Sequence, residues 1–248
     1  MELKQKVASL AQMRGAMIFE FFSPGIPIIL KNSGCEFIIF DMEHGGLSLE
    51  QFKTLSIISK VNKIAPFIRI PEVNYNYVAR ALDLGASGIM VPMVNTPDDA
   101  MKIVYSSKYP PQGIRGAGFG FAHDNYINEN PISYIEKANN SLINIIQIET
   151  KTALENIKEI ASIDGVDCLW VGHFDLTNFL GIPGDFTSNI YLNAINEIVI
   201  AANTYRKSLG IMVNNKQELE TYSKLGFNVI AVGTEMNILS RSISQILK

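Results

Sequence analysis

Eight short apolar runs alternate with amphipathic stretches along the sequence, and this alternation restricts the possible folds more than any other feature. The runs are rich in β-branched and aromatic residues, as buried parallel strands are, and the stretches between them have helical periodicity. The predicted strands span residues 16–21, 36–41, 65–70, 88–92, 142–149, 167–172, 210–213 and 228–233. Many of the helical stretches end in Gly or Asn just before the next run, as helices commonly do. The pattern predicts an α/β protein whose parallel sheet is covered by helices.

The chain length distinguishes between the two common folds of this kind. Eight β/α units in 248 residues match the size and repeat number of a (β/α)8 TIM barrel, whereas doubly wound sheets usually have fewer strands. No linker rich in Pro, Gly or Ser and no charge block divides the chain, so residues 1–248 are predicted to form one barrel domain. The longest connection, residues 109–131, is too long for a simple turn, and such loops often serve a functional site.

Charge and composition argue against several classes of function. The formal net charge is -3, and the 21 basic residues form no cluster, so we expect neither a nucleic acid nor a membrane as partner. Lys4, Lys6 and Arg14 interrupt the N-terminus, which therefore has no apolar signal region, and we expect a cytoplasmic protein. Cys35 and Cys168 are isolated and are interpreted as reduced core thiols.

Polar side chains follow four of the predicted strands, at the ends where TIM barrels hold their active sites. Charged groups at the ends of apolar strands are costly unless they are paired, so we expect these residues to form one site. They are Asp41, Glu43 and His44 after the second strand, Arg69 on the third, Gln147 and Glu149 on the fifth, and Gly172, His173 and Asp175 after the sixth.

Glu149 and Asp175 are the candidate metal ligands. A hard divalent cation prefers carboxylate oxygen and keeps open positions for water or substrate when the protein supplies few ligands. Each residue alone has a structural alternative, since Asp175 could cap a helical turn and Glu149 could precede a helix. Their occurrence at adjacent strand ends favours the metal site.

His44 and Arg69 are the candidate catalytic residues. A histidine directly after a strand suits a general acid or base, because its proton affinity lies near neutrality. The fixed guanidinium fork of Arg69 could hold a developing enolate oxygen. An ion pair of Arg69 with Asp41 or Glu43 is nearly as good an interpretation, and a lone histidine is more often structural.

Other common catalytic motifs are absent from the sequence. The GAGFG segment at residues 116–120 follows no predicted strand and opens no helix, so it is not interpreted as a dinucleotide-binding loop. The sequence has no P-loop, serine-hydrolase or zincin motif. No lysine lies within the eight strand runs, which argues against a Schiff-base mechanism.

Several motifs in series resemble the HpcH/HpaI family of class II, metal-dependent pyruvate aldolases, which includes 4-hydroxy-2-oxoheptanedioate and 2-dehydro-3-deoxyglucarate aldolases. The resemblance extends over nearly the whole chain. The matching segments are FDMEHGG, APFIRIPE, GIMVPMVNTPDDA, YPPQGIRGAG, IIQIET, GVDCLWVGHFDLTNFLG and GFNVIAVGTE.

The resemblance implies an aldehyde-lyase that reversibly cleaves a 4-hydroxy-2-oxo acid to pyruvate and an aldehyde through a metal-bound pyruvate enolate. It implies Mg²⁺, Mn²⁺ or Co²⁺ held by Glu149 and Asp175, and a homohexamer built as a trimer of dimers. His44 would be the acid/base with Asp83 as a possible orienting partner, and Arg69 would stabilise the enolate. The residues implied to bind substrate are Gln147, Gly172, His173, Phe174 and Asp175.

The chain departs from the family pattern at the corner that would hold the substrate carboxylate. Many members have Gly-Pro-Ala-Asp where this chain has Gly172, His173, Phe174 and Asp175, and Glu20 makes the end of the first strand more acidic. His173 could be a polar group of the pocket or could pack against a neighbouring loop. The aldehyde partner stays open, and so do oxaloacetate decarboxylation or other enolate chemistry at this site and a non-catalytic barrel that binds a keto acid.

Overall fold

The computed structural model describes residues 2–127 and 130–248, and in these ranges it has eight strands and twelve α-helices. The strands are β1 (Met13–Ile18), β2 (Phe37–Asp41), β3 (Ala65–Arg69), β4 (Gly88–Val91), β5 (Ile143–Ile148), β6 (Cys168–Val171), β7 (Ser208–Val213) and β8 (Val229–Thr234). The α-helices are α1 (Leu3–Ala8), α2 (Ile26–Asn32), α3 (Leu49–Val61), α4 (Tyr75–Asp83), α5 (Pro97–Ser107), α6 (Pro131–Ser141), α7 (Lys151–Glu155), α8 (Ile157–Ser162), α9 (His173–Phe179), α10 (Asn189–Tyr205), α11 (Lys216–Lys224) and α12 (Glu235–Leu247). A 3₁₀ helix spans Ala122–Asp124.

The eight strands close into one parallel barrel, which confirms the predicted (β/α)8 fold. Each strand pairs with the next in sequence, and β8 pairs with β1 to complete the ring. Helix α1 precedes the first strand and contributes Val7 to the apolar cluster inside the barrel. None of the described helices has both the length and the apolar character that crossing a bilayer requires.

Alternating side chains of each strand point into the barrel, and this alternation positions the site. Phe37 and Ile39 of β2 and Phe67 of β3 belong to the inner cluster, and the residues between them pack against the helices. Because the side-chain period of a strand is two residues, the next inward positions are Asp41 and Arg69. These two residues are paired in register at the carboxyl ends of their strands.

The predicted bounds of β1 were wrong by three residues. The apolar run predicted a strand over residues 16–21, whereas β1 spans Met13–Ile18. The run continues through Phe19 and Phe21, but the ladders to β2 and β8 end by Ile18. The backbone N–H groups beyond this point bond to a side chain instead of a strand. The other seven strands lie within two residues of their predicted bounds.

Candidate functional site

Hydrogen bonds join the inward side chains of three strands into one row at the carboxyl end of the barrel. Arg69 Nε donates to Asp41 Oδ1 at 2.6 Å, and Arg69 Nη1 makes a longer contact of 3.5 Å with Gln147 Oε1. Gln147 Nε2 donates to Glu149 Oε2. The other oxygen of Glu149 accepts the backbone N–H of Met93 at 2.6 Å. The structure thus brings together Arg69, Gln147 and Glu149, as the sequence predicted.

Asp41 fixes the backbone of the loop that carries His44. This fully buried carboxylate accepts the backbone N–H groups of Glu43 at 3.1 Å, His44 at 2.9 Å and Gly45 at 3.2 Å. Short acidic side chains commonly stabilise turns in this way. The His44 side chain is 59% exposed, and its Nε2 lies 3.8 Å from Glu43 Oε2. The loop therefore holds an accessible imidazole at the edge of the site on a rigid backbone.

Carboxylates outnumber cationic groups in this part of the barrel. Burial raises the pKa of Glu43 to about 7. Arg69, whose Nη1 lies 2.9 Å from Glu43 Oε2, opposes this shift, and the neighbouring carboxylates add to it. These carboxylates are Glu149, Asp41 and Asp175. Burial also raises the pKa of Glu149, against hydrogen bonds from Gln147 and Met93 that lower it.

The residues present fit a divalent cation. Glu43 Oε2 is buried and accepts no hydrogen bond although it faces Arg69, and Glu149 is 98% buried beside further negative charge. A cation bound by carboxylate oxygens would offset this repulsion. Within residues 2–127 and 130–248, no group of three or more His, Cys, Asp and Glu side chains is spaced to hold an ion. The predicted pair of Glu149 and Asp175 is a smaller ligand set, which leaves positions for water or substrate.

Gly172 allows β6 and α9 to approach the candidate ligand closely. A Cβ at this position would lie 2.5 Å from Glu149 Oε2 and 3.0 Å from Gln147 Nε2. Any side chain would displace the carboxylate. Asp175, the other candidate ligand, lies in the first turn of α9, whose N-cap is Gly172, so Asp175 does not cap the helix, and the structural alternative for it is a favourable charge at the helix N-terminus.

Comparison with known proteins assigns the family. Residues 21–242 match the model of the family described as HpcH/HpaI aldolase/citrate lyase. The chain belongs to this family. Its membership and the names of its relatives identify a carbon–carbon lyase.

Two curated relatives and a crystal structure illustrate the likeness. The chain is 30% identical over 219 residues to the 4-hydroxy-2-oxo-heptane-1,7-dioate aldolase of Shigella flexneri, covering 86% of this chain and 80% of the relative. It is 27% identical over 227 residues to the hydroxypyruvate/pyruvate aldolase of Roseovarius nubinhibens, covering 92% and 88%. The HpcH/HpaI aldolase from Desulfitobacterium hafniense DCB-2 superposes with a TM-score of 0.95 at 26% identity, covering 100% of this chain and 95% of that one.

In this HpcH/HpaI family member, His173 contacts aromatic side chains. Its ring lies 4.7 Å from the ring of Phe174 and 5.3 Å from that of Phe186, between ring centroids, and only 8% of the residue is exposed. The structure thus favours the packing alternative for His173. Phe174 is 56% exposed and is available to border a substrate.

His173 should make the protein less stable at mildly acidic pH. Burial lowers the pKa of its imidazole from 6.5 to about 4. The unfolded chain therefore binds more protons than the folded chain between these values. The free energy of unfolding falls as the pH drops through this window, by up to about 3 kcal/mol. His173→Phe keeps an aromatic ring and removes the titrating group, so the variant should lose less stability between about pH 7.5 and about pH 5. Urea unfolding of both proteins measures this, and equal losses would contradict it.

Asp83 and its partner Arg115 lie at the opposite end of the barrel from His44. Asp83 is the last residue of α4, which leads to the start of β4, and its Oδ1 accepts from Arg115 Nη2 at 2.6 Å. Arg115 belongs to the connection between α5 and α6. Lys60, in the last turn of α3, donates to the carbonyl oxygen of Ala122 in the same connection. Asp83 therefore does not join the site within one chain, and a role beside His44 would require a second copy.

Sequence reasoning missed three groups that shape the site. Asp41 was predicted as a member of the site and as a possible ion-pair partner of Arg69, but its role in fixing the His44 loop was missed, although its spacing to the following Glu-His-Gly was the available sign of a loop-forming carboxylate. The backbone N–H of Met93 bonds to Glu149 from the loop after β4, and Phe19 stacks against Arg69, with 5.4 Å between the Arg69 Cζ and the ring centroid. No residue pattern marks a backbone donor or a contact between distant loops.

Proposed function

We propose that the chain catalyses the metal-dependent, reversible aldol cleavage of a 4-hydroxy-2-oxo acid to pyruvate and an aldehyde. The observation that carries this proposal is the group of carboxylates around Glu149, which lies beside Arg69 at the end of the barrel where this fold holds its active sites. The aldolase names of the relatives support the same reaction class. We propose further that residues 1–248 act as one domain.

The metal would be Mg²⁺, Mn²⁺ or Co²⁺, held by Glu149 and Asp175. A bound divalent cation would supply a Lewis acid that withdraws electrons from the keto acid oxygens when the carbon–carbon bond breaks. The fit of the site supports this, because repulsion among buried carboxylates is relieved by a cation. Gly172 leaves the space that Glu149 Oε2 occupies.

Arg69 and Gln147 would bind and orient the keto acid. The guanidinium is held in place by Asp41 on one side and by Glu43 on the other, so it is oriented before substrate arrives. Such a fixed cation stabilises negative charge that develops on oxygen in the transition state. Of the backbone N–H groups from Gly172 to Asp175 at the start of α9, that of Gly172 donates to the carbonyl of Ile148, and those of His173, Phe174 and Asp175 would bind the substrate carboxylate.

His44 would remove the proton from the 4-hydroxyl group during cleavage and return a proton in the synthetic direction. Its exposed imidazole on a fixed loop supports this role. We expect His44→Ala to reduce turnover about 100- to 10,000-fold while metal and pyruvate binding stay unchanged, because only the proton transfer is removed. Kinetics together with calorimetric titration of both ligands measure this. Unchanged turnover would exclude His44 from the mechanism.

A coupled assay for pyruvate release tests the function. The substrates are a panel of 4-hydroxy-2-oxo acids and, separately, oxaloacetate, each with added divalent metal. Release from the hydroxy acids supports the aldolase, whereas release from oxaloacetate alone identifies a decarboxylase that uses the same enolate chemistry. If no substrate releases pyruvate and calorimetry still detects keto acid binding, the barrel is a binding protein.

We also propose that the enzyme is a homohexamer, a trimer of dimers. Helix α12 supports subunit contact, because none of its residues is buried within one chain although the helix is amphipathic. Its exposed apolar residues are Ile238, Leu239, Ile243, Ile246 and Leu247.

A further inference from the structure

Glu235, in the first turn of α12, binds three successive backbone N–H groups of the loop after β1. Its Oε1 accepts from Phe19 at 3.0 Å, from Glu20 at 2.6 Å and from Phe21 at 2.9 Å. Its Oε2 also lies 3.2 Å from the nitrogen of Phe19. One carboxylate thus satisfies donors that lie more than 200 residues away in sequence.

These bonds occur where the β1–β8 ladder ends. The last paired residues are Met17 and Thr234, after an irregularity between Ala16 and Met17. The N–H groups of Phe19, Glu20 and Phe21 follow the end of β1 and bond to Glu235 instead of to a neighbouring strand. Glu235, directly after Thr234, accepts the hydrogen bonds that a longer β1–β8 ladder would otherwise accept.

The loop that Glu235 holds touches two parts of the candidate site. The ring of Phe19 covers the Arg69 guanidinium, with 5.4 Å between Cζ and the ring centroid. The carbonyl oxygen of Phe19 approaches Gly45 so closely that a Cβ there would lie 2.2 Å from it. Gly45 is the neighbour of His44 and bonds to the same Asp41 carboxylate. A shift of the Phe19 loop would therefore disturb both Arg69 and the His44 backbone.

We propose that Glu235 is a positioning residue, which holds the Phe19 loop so that Arg69 is shielded from water and the His44 loop keeps its conformation. This inference rests on the proposed function for its catalytic consequence. Glu235 contacts neither of the candidate metal ligands in the network above, so its effect should fall on turnover and not on metal affinity.

Glu235→Gln tests the proposal, because the amide removes the negative charge that three N–H groups share and places a donor where Oε2 now faces the Phe19 nitrogen. We expect kcat for pyruvate release to fall about 10- to 100-fold, as small misplacements of reacting groups do, with the Kd for Mn²⁺ unchanged. The amides of residues 19–21 should exchange with deuterium faster, and Arg69 should react faster with phenylglyoxal relative to exposed Arg80. Glu50→Gln, the same substitution in the first turn of another helix, should leave kcat, the Kd for Mn²⁺, the amide exchange rates and the phenylglyoxal rate unchanged.

Glu235→Asp keeps both acceptor oxygens on a shorter side chain and should give values between those of wild type and Glu235→Gln. It also carries the test if the glutamine variant does not fold. The proposal is overturned if kcat is unchanged while the amides lose protection, or if the amides keep their protection. If wild type releases no pyruvate, the proposed function fails, and the phenylglyoxal rate at Arg69 decides the positioning role by itself: equal rates overturn it.

Discussion

Glu149→Gln should abolish divalent metal binding and pyruvate release while the protein stays folded. The amide has nearly the same shape as the buried carboxylate and can still accept the Met93 N–H, but it carries no charge to hold a cation. We expect metal affinity to fall by more than about 100-fold, beyond the usual effect of losing an outer-shell partner. In the absence of metal the variant should be about as stable as wild type, because removing a buried charge that nearby carboxylates repel offsets the loss of the hydrogen bond from Gln147 Nε2.

Calorimetric titration with Mn²⁺ and thermal unfolding with and without metal measure these effects. Wild type should be stabilised by the ion, because a ligand that binds only the folded state shifts unfolding to higher temperature, whereas the variant should not respond. Glu155→Gln, on exposed α7, is the matched control and should behave as wild type. Undiminished metal binding by Glu149→Gln would remove this residue from the ligand set.

Arg69→Met should cost both stability and activity, and Arg69→Lys should separate the two. Removing the cation leaves Asp41 fully buried without its charge partner, which typically costs about 3–5 kcal/mol. Lysine keeps a positive charge but not the fork that contacts Asp41 and Glu43 together. We therefore expect Arg69→Lys to keep most of the stability and to lose about 100- to 1,000-fold in kcat, as sites do when one oxyanion donor is removed.

Urea unfolding and pyruvate release, measured on both variants, provide the comparison. Arg80→Lys, on the exposed surface of α4, is the control for the arginine-to-lysine substitution itself. If Arg69→Lys turned over at the wild-type rate, Arg69 would have only the structural role that its ion pairs with Asp41 and Glu43 provide.

The sequence predicted the architecture well because a parallel strand that is buried on both faces appears in the sequence as a continuous run of apolar residues. It also predicted much of the site, because every second residue of a strand points into the barrel, and at the carboxyl ends of the strands these inward residues change from apolar to polar. Phe37 and Ile39 point inward, and Asp41 must follow them. In the same way Ile143 and Ile145 lead to Gln147 and Glu149, which the structure joins to Arg69.

Local patterns failed where a contact depends on residues far apart in sequence. The predicted bounds of β1 were wrong because Phe19 and Phe21 are residue types that favour strands. In the structure the strand ladder ends before them, and the carboxylate of Glu235 accepts their N–H groups. Asp83 was placed beside His44 only through the family resemblance. Its position at the end of a helix that leads to the next strand puts it at the opposite end of the barrel.

Pyruvate release in excess EDTA, before and after Mn²⁺ is restored, tests the central proposal most directly. The carboxylates around Glu149 repel one another and have only Arg69 as a neighbouring cation in the described network, so the reaction should depend on an added ion. The account predicts that the rate falls to background in EDTA and recovers when metal is added in excess of the chelator. Continued turnover in EDTA by protein that contains no bound metal would contradict it.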